Sequence, residues 1–382
     1  MKKIVLKINA WLHLWLGLAS GIVVVILSIT GCALVFEEEI KYSWLYSATP
    51  DNSEQTELLP PSVVYQKIKA QHPEKELESF WYYGHGKPIK ISINHGDTLM
   101  YVNPYNAQII AEVDHEDFFH FMDEGHRHLW LPTDIGRQVT GWGTLMFFVI
   151  TLSGLILWWP KRWNKRMVKQ SFTINCKTKW KRINYDLHNV LGFYSLIVAL
   201  VMAFTAMMMS FPWLRKTVVD LAGGYPRSPR NKTEEVIKPE TNASTLDAFA
   251  IADSIFYKVR HEIASVNRDA VIVHIPEEEE KVIYACTDMI DGSWRDLRFN
   301  RYTLELMPNN PKPMSEAKGG EWVSRANFGL HTGYIGGLTT KIIYFLASLI
   351  CATLPITGFY VWWYKRTKKP KTLKRIKKPQ LA

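Results

Sequence analysis

The chain has 382 residues, of which 47% are hydrophobic, and it carries a formal net charge of +10. Its apolar residues are concentrated in four stretches, each long enough for the roughly 20 residues that cross a bilayer. These stretches are Trp11–Phe36, Val139–Trp159, Leu187–Leu214 and Tyr334–Tyr364. The pattern excludes a purely soluble enzyme, and the long polar segments between the stretches exclude a helix bundle with only short loops.

The first apolar stretch contains residues 29–32, Ile-Thr-Gly-Cys, which look like a lipoprotein cleavage box. The apolar run that starts at Trp11 is too long for the core of a signal peptide, so we predict an uncleaved membrane helix. The chain has four cysteines and no Cys-x-x-Cys pair. This argues against a zinc knuckle, a redox dithiol and covalently attached haem.

The distribution of charge predicts the orientation of the spans. Residues 161–186 hold nine Lys and Arg with one acid, and residues 365–382 hold nine with none. Residues 37–136 instead hold seventeen acids and seven bases. The positive-inside rule then places both termini in the cytoplasm and both polar segments outside. The positive net charge reflects this topology and contact with membrane lipid, and not binding to nucleic acid.

The two halves of the chain resemble each other, which indicates an internal duplication. Residues 12–17 and 187–192 both read Leu-His through Leu-Gly, and Ser153-Gly154 and Thr357-Gly358 stand near the ends of spans two and four. In each polar segment a helix, at Pro61–Gln71 or Leu246–Glu262, precedes alternating strand patterns. We therefore predict a membrane all-α four-helix bundle with two extracytoplasmic α+β domains. The predicted boundaries are 1–37, 126–160, 187–214 and 326–364 for the membrane helices, 38–125 and 215–325 for the domains, 161–186 for a cytoplasmic basic loop and 365–382 for a basic tail.

A histidine stands near the start of every predicted span, and ionisable residues there suggest function. Spans one and three start inside, so His13 and His188 are expected at one depth near the inner face. Spans two and four start outside, so His331 and either His126 or His128 are expected near the outer face. Counting residues to the following Ser-Gly or Thr-Gly does not decide between His126 and His128.

Two imidazoles from different helices at one depth are the arrangement that haem iron takes as axial ligands. Zinc needs three or four ligands, and neither depth offers a third. We therefore expect two haem b groups with bis-histidine ligation, one near each membrane face. Arg127, Arg137 and Arg325 lie on the outer side as candidate contacts for haem propionates. Interfacial histidines with structural roles, duplicated together, are the alternative interpretation.

These motifs resemble the PepSY-associated transmembrane family of bacterial inner-membrane proteins. The similar pieces include Leu12-His13 with Thr30-Gly31, residues 126–129 (His-Arg-His-Leu) and residues 330–333 (Leu-His-Thr-Gly). The resemblance covers nearly the whole chain and implies PepSY-like domains and a di-haem ferric-siderophore reductase. The family pattern favours His126 over His128. The chain departs from the pattern at its second hairpin, where Arg301 and Leu304 replace small turn residues.

We therefore expect an oxidoreductase of the bacterial inner membrane that passes electrons from a quinol or a cytoplasmic donor to a periplasmic ferric complex, such as a ferric siderophore. Reduction weakens the oxygen-donor ligands of the iron and releases Fe(II). The alternatives are a haem-free PepSY protein that senses or inhibits a periplasmic partner, and a transporter for iron or a siderophore. Transporters with repeats commonly have broken helices at mid-membrane, and here Pro355 is the only proline deep within a span.

Overall fold

The structure is a computed structural model that describes residues 2–47, 57–93, 96–160, 162–224, 247–265, 268–289, 292–308 and 310–367. Lys161, Leu246, residues 225–245 of the second polar segment and the basic tail after residue 367 lie outside the described residues. The helices are α1 (Lys2–Leu34), α2 (Pro61–Gln71), α3 (Phe118–His128), α4 (Thr133–Trp158), α5 (Lys165–Phe172), α6 (Trp180–Ser210), α7 (Pro212–Leu221), α8 (Ala248–Lys258), α9 (Gly319–Thr332) and α10 (Gly337–Arg366). The strands are β1 (Leu77–Tyr83), β2 (Ile89–Ile93), β3 (Thr98–Val102), β4 (Ile109–Asp114), β5 (Ala270–His274), β6 (Val282–Thr287) and β7 (Arg295–Asn300).

Four helical segments are long and apolar enough to cross a membrane, which confirms the four candidate spans predicted from the sequence. They run over Lys3–Leu45, Thr133–Trp158, Trp180–Ser210 and Tyr334–Arg366. The third begins seven residues before the predicted start at Leu187. Hydropathy identifies the apolar core of a span, whereas the helix itself extends beyond that core through polar residues.

The four long helices contact one another in a closed cycle. Helix α1 packs against α4 and α10, and α6 packs against the same two helices. A Cβ atom on Gly143 of α4 would lie 2.8 Å from Val23 on α1, so glycine is required for this close approach. Helices α1 and α6 thus lie diagonally opposite each other.

The polar segments form one antiparallel sheet with the strand order β4-β3-β2-β1-β5-β6-β7. The central pairing joins β1 to β5, with Trp81 opposite Ile272 and Tyr83 opposite Ala270. Each polar segment therefore contributes a meander, and the two meanders meet at their first strands. This arrangement places the two halves of the sheet about an approximate two-fold axis between β1 and β5.

The single sheet differs from the two separate domains that the sequence predicts for residues 38–125 and 215–325. Each half keeps the predicted helix-then-strand order, with α2 before β1–β4 and α8 before β5–β7. Separate domains would leave β1 and β5 as edge strands with unpaired backbone groups. Pairing them removes both edges and lets one hydrophobic core serve both halves.

That core lies on the face of the sheet covered by α2 and α8. Phe80 of β1, Phe256 of α8 and Phe299 of β7 are fully buried there. The cluster includes residues from both polar segments, so the two halves share this core, and each half also has a small cluster of its own. Burial of such side chains stabilises a fold by about 1.5–3 kcal/mol each.

The opposite face of the sheet contacts the end of the first membrane segment. A π-helical turn at Glu39–Leu45 follows α1, and its Tyr42 stacks on Tyr83 with ring centroids 4.1 Å apart. Tyr46 stacks on Tyr101 at 4.0 Å. The continuation of α1 thus connects the membrane helices to the centre of the sheet.

Two short helices precede the second and fourth long helices, and the sequence did not predict them as separate. Helix α3 ends at His128, and the chain reverses through Leu129 and Trp130, which both have a φ of 55°. Helix α9 ends at Thr332 and is followed by Gly333, with a φ of 81°. The histidines expected at the start of the spans in 126–160 and 326–364 therefore lie on α3 and α9. Left-handed residues in the reversals separate these helices from α4 and α10.

Candidate functional site

His13 of α1 and His188 of α6 face each other at the end of the helices remote from the sheet. Their ring centroids are 6.2 Å apart and their planes are almost perpendicular, at 88°. We call them the distal pair. Because α1 and α6 are diagonal partners, the rings meet in the middle of the four long helices.

His126 of α3 and His331 of α9 face each other near the sheet. Their ring centroids are 6.1 Å apart, with an interplanar angle of 56°. We call them the proximal pair. The structure therefore brings His13 together with His188, as expected from depth, and it brings His331 together with His126, one of the two partners that depth left open.

Each ring of the distal pair is held from the side through its Nδ1 atom. In His13, Nδ1 lies 3.1 Å from the carbonyl oxygen of Ile150 and 2.7 Å from the hydroxyl of Ser153. In His188, Nδ1 lies 3.1 Å from the carbonyl oxygen of Leu354 and 3.0 Å from the hydroxyl of Thr357. The two contacts come from residues one helical turn apart on α4 or on α10.

The proximal pair repeats this arrangement on α1 and α6. His126 Nδ1 lies 3.0 Å from both the Leu27 carbonyl oxygen and the Thr30 hydroxyl. His331 Nδ1 lies 3.0 Å from the carbonyl oxygen of Met202 and 3.1 Å from the hydroxyl of Thr205. Each of the four histidines is thus held by a backbone carbonyl oxygen of a neighbouring helix and by the hydroxyl of the residue three positions further along that helix.

These contacts determine which ring nitrogen carries the proton. A carbonyl oxygen only accepts, so Nδ1 must carry a hydrogen and donate it. The hydroxyls already donate to carbonyls of their own helices, as Thr30 does to Ile26 and Thr205 does to Val201, and so they too accept from Nδ1. In its neutral form, each imidazole is therefore the Nδ1–H tautomer. Its Nε2 lone pair is left without a partner among the described residues and is available to a metal ion.

An asparagine four residues before the histidine ties the two helices together in three of the four cases. Asn9 donates to the carbonyl oxygen of Ser153, and Asn184 donates to that of Thr357. Asn327 donates to that of Thr205. The bonds fix the depth of each histidine-bearing helix against the helix that supplies the hydroxyl.

A glycine follows the hydroxyl residue in three cases and makes room for the ring. Cβ atoms built on Gly31, Gly154 and Gly358 would lie 3.1–3.2 Å from Cε1 of His126, His13 and His188, respectively. That spacing is tighter than an ordinary contact, so the absence of a side chain lets the ring lie against the helix backbone. These Ser-Gly and Thr-Gly pairs are visible in the sequence, but their role was not predicted from it.

The distal pair lines a cavity of about 630 Å³. Its wall includes small residues one turn from the histidines, Gly17 on α1 and Gly192 on α6. A Cβ atom on Gly17 would meet nothing within 4 Å, so this glycine borders open space and not a packed neighbour. The volume lies within the roughly 300–1,000 Å³ of typical cofactor pockets.

The other site residues predicted from the sequence lie apart from the two pairs. His128 is buried, and its Nδ1 lies 3.2 Å from Glu124 on the same helix. Arg127 is exposed and pairs with Asp123 at 3.0 Å, and Arg137 is also exposed. The structure thus pairs His126, and not His128, with His331.

Arg325 of α9 is buried, and its side chain connects this helix to the segments that precede and follow β7. Its guanidinium donates to the carbonyl oxygens of Lys312 and Ser293 and lies 3.2 Å from Glu321. Next to it, the connection between β6 and β7 touches α9 at Gly329, two residues before His331. The sheet therefore lies in direct contact with the helix that carries one proximal histidine.

The hydroxyl of Thr205 and the three asparagines were not predicted from the sequence. Thr205 follows His188 by the same number of residues as Thr30 follows His13, so aligning the two halves would have found it. It lacks the following glycine, because Ala206 stands there. The asparagines recur four residues before His13, His188 and His331, but the corresponding position before His126 is Met122.

The four long apolar helices, the attached sheet and the duplicated histidine arrangement define a class of multi-span membrane proteins. A family described as the PepSY-associated TM region matches residues 10–365, which is nearly the whole chain. The chain therefore belongs to this family. Among curated proteins, none matches the chain.

Proposed function

We propose that the chain is a di-haem b electron-transfer protein that reduces a ferric complex on the sheet side of the membrane. The observation that carries this proposal is the tautomer of the four paired histidines. Each pair offers two imidazoles from different helices, both already oriented, whose neutral form keeps the hydrogen on Nδ1 and leaves the Nε2 lone pair for a metal. This is the ligand set of a bis-histidine haem iron.

The spacing of the rings fits such an iron. A metal held by both Nε2 atoms at about 2 Å would separate the ring centroids by about 6 Å. The pairs stand at 6.2 Å and 6.1 Å. The 630 Å³ cavity around the distal pair, bordered by Gly17, gives a planar group space beside the rings. When bound, the two haems supply one-electron chemistry.

The two pairs form a route along the membrane normal. His13 and Thr30 are about 17 residues apart on α1, or about 25 Å at 1.5 Å per residue. His188 and Thr205 have the same separation on α6. Two sites at these depths connect the two faces of the membrane for electrons, while the apolar helices exclude water and ions between them.

The fold suggests where each partner binds. We assign the four long helices to one bundle and each half of the sheet, with its α2 or α8, to a PepSY-like unit. By the positive-inside rule, the termini and the loop after α4 face the cytoplasm of the bacterial inner membrane, and the sheet faces the periplasm. A quinol or a cytoplasmic donor delivers electrons near the distal pair. A ferric siderophore or another ferric complex accepts one electron near the proximal pair and releases Fe(II).

The ligand arrangement also limits what the two sites do. With both Nε2 atoms of the proximal pair used to hold a haem, the ferric complex would bind to the protein beside that pair and not to the metal there. The contact of the β6–β7 connection with α9 brings the sheet close to that pair. We therefore place the acceptor between the sheet and the outer ends of the long helices.

The test is a visible spectrum of the detergent-purified protein, oxidised and then reduced with dithionite, with haem counted per chain. We expect a sharp Soret band, split α and β bands on reduction, and two haems per chain. A mixture of ferric chelates is then added to the reduced protein, and reoxidation is followed at the α band. Colourless protein from cells supplied with ample haem would overturn the proposal. Reduced protein that no ferric chelate reoxidises would refute the acceptor.

A further inference from the structure

A second cavity lies at the end of the long helices that is remote from the sheet. It has a volume of about 460 Å³ and lies between the first turns of α6 and the last turns of α10. We call it the α6–α10 cavity. Its lining residues are Lys179, Lys181, Arg182, Tyr185, Val361, Tyr364 and Lys365. None of the residues proposed above as ligands of a metal lies among them.

The interior of the α6–α10 cavity is almost entirely apolar, although four of its seven lining residues are cationic. Lysine and arginine side chains commonly bury their aliphatic stems and keep their charged ends in water. The four cationic residues here are all exposed, namely Lys179, Lys181, Arg182 and Lys365. The cavity therefore combines an apolar interior with a positively charged rim.

The rim carries more positive charge than its neighbours neutralise. Among the described residues that line the cavity none is acidic, and Arg182 is paired with Asp186 at 2.9 Å. The ammonium groups of Lys179 and Lys365 have neither an ion pair nor a hydrogen bond within the part of the chain that the structure describes. Like charges around one rim repel one another unless an anion joins them. The rim is therefore complementary to a negatively charged group.

Exposed aromatic residues place the cavity at the level of the lipid head groups. Helix α6 begins at Trp180, and α10 ends three residues after Trp363. Both tryptophans are exposed, as is Tyr185 in the lining of the cavity. Tryptophan and tyrosine side chains are enriched where membrane helices meet the interface between lipid and water. A phospholipid in the adjoining leaflet thus has its phosphate near the rim and its chains beside the apolar interior.

We propose that the α6–α10 cavity binds an anionic phospholipid, with an acyl chain in the apolar interior and the phosphate at Lys179 and Lys365. The chain fills the interior by van der Waals contact, and each basic residue near the head group strengthens the attraction. A small anion inside the cavity would lose its water without gaining polar partners, whereas a neutral lipid would leave the charges of the rim uncompensated. The inference does not depend on the function proposed for the histidine pairs.

The experiment measures the binding of three probes to the full-length protein, delipidated in detergent, by native mass spectrometry. The probes are phosphatidylglycerol with palmitoyl and oleoyl chains, phosphatidylcholine with the same chains, and glycerophosphoglycerol, which has the first head group without the chains. We expect phosphatidylglycerol to bind about tenfold more tightly than phosphatidylcholine, because only its head group has a net negative charge. Glycerophosphoglycerol should not compete, because it offers no chain to the apolar interior.

Three double variants locate the binding site. Lys179→Gln/Lys365→Gln should bind phosphatidylglycerol about 30-fold more weakly, at about fivefold for each basic residue, and should bind phosphatidylcholine as the wild type does. Lys165→Gln/Lys169→Gln removes two exposed charges from α5, which does not line the cavity, and should behave as wild type. Lys179→Arg/Lys365→Arg keeps both charges and should retain the preference for phosphatidylglycerol.

Four outcomes would overturn the inference. An equal loss of phosphatidylglycerol from the cavity variant and the α5 variant would indicate attraction by the whole basic surface. Equal affinity of the wild type for both phospholipids would exclude a role for the charged rim, and competition by glycerophosphoglycerol would exclude a role for the chain. Wild-type protein that retains no phospholipid would exclude the site altogether. A protein that binds phosphatidylglycerol as expected but contains no haem would refute the proposed function and leave this inference intact.

Discussion

The Nδ1 atom of His13 lies 2.7 Å from the hydroxyl of Ser153, on a different helix. The same relationship joins His126 to Thr30, His331 to Thr205 and His188 to Thr357. A partly buried imidazole held in this way has one neutral tautomer and one orientation before any ligand arrives. The four imidazoles are therefore preorganised, which would reduce the cost of binding a metal.

The first prediction concerns this hydroxyl. Ser153→Ala removes one of two acceptors for His13 Nδ1, while the Ile150 carbonyl still fixes the tautomer. We expect a cost of about 1 kcal/mol, so one of the two haems should be released roughly five- to tenfold faster. Thr144→Ala on the same helix removes a buried hydroxyl that bonds only to Thr140 and serves as the control. Equal haem release in both variants would show that the hydroxyl has no role in ligation.

The second prediction concerns the pairing of the histidines. His13→Ala and His188→Ala should each empty the same haem site and leave one haem per chain with identical spectra. His126→Ala and His331→Ala should each empty the other site. The measurement is the haem count and the midpoint potential of the haem that remains. Loss of different haems from His13→Ala and His188→Ala would contradict the pairing.

His128 provides the matched control for the proximal pair. It lies on the same helix as His126, two residues away, but contacts Glu124. His128→Gln should therefore leave two haems per chain and unchanged midpoint potentials, even if it lowers the thermal stability. A variant of His128 that lost one haem, together with a His126 variant that kept both, would reverse the assignment.

The third prediction uses the open space beside Gly17. Gly17→Phe should fill part of the distal cavity and prevent binding of the distal haem, because a side chain there projects into space that is not occupied by protein. Gly17→Ala should bind both haems and stabilise α1 by up to about 1 kcal/mol, since alanine favours helix more than glycine does. Haem counts of the two purified variants test this. Two haems in Gly17→Phe would show that the cavity is not the haem site.

The membrane helices and the histidine pairs could be predicted from the sequence because their signals are local. An apolar stretch of sufficient length predicts a membrane span, and the charge of the loops predicts the orientation of that span. The orientation then gives the depth of each histidine in the membrane. His13 and His188 could then be paired without knowing any contact. The roles of Ser153 and Thr357 could not, because a hydroxyl in a membrane helix usually bonds to its own backbone.

The sheet shows what such local signals leave out. The helix at Pro61–Gln71 was predicted correctly, with the bounds that the structure has. The pairing of β1 with β5 joins residues almost 200 positions apart, and nothing in either strand identifies its partner. Alternation of apolar residues indicates which face of a strand is buried, but it does not identify the neighbouring strand.

The fourth prediction tests whether the sheet is one cooperative unit. Phe80→Ala on β1 removes a fully buried side chain from the shared core and should destabilise the sheet by about 3–5 kcal/mol. Because β5–β7 share that core, their amides should exchange with deuterium faster in this variant, along with those of β2 and β3. Ile110→Ala at the partly exposed edge strand β4 is the control and should have only local effects. Protection that persisted in β5–β7 would indicate two independent domains.

The last prediction concerns Lys90, which lies on the face of the sheet that Tyr42 packs against, with its ammonium 3.9 Å from the ring centroid of Trp81. Burial lowers the pKa of Lys90 to about 8, whereas in the unfolded chain it stays near 10.5. The folded state therefore binds the proton less tightly, and the stability of the wild type should increase as the pH rises from about 8 to 10.

Lys90→Met lacks this proton. The apparent melting temperature of the variant should exceed that of the wild type most at pH 7, and the difference should shrink towards pH 10. The melting temperatures of both proteins are measured by tryptophan fluorescence across this pH range. Groups other than Lys90 titrate in both proteins, so their effect cancels in the difference between the two melting temperatures. A difference that stays constant with pH would mean that the Lys90 ammonium is not destabilised by burial.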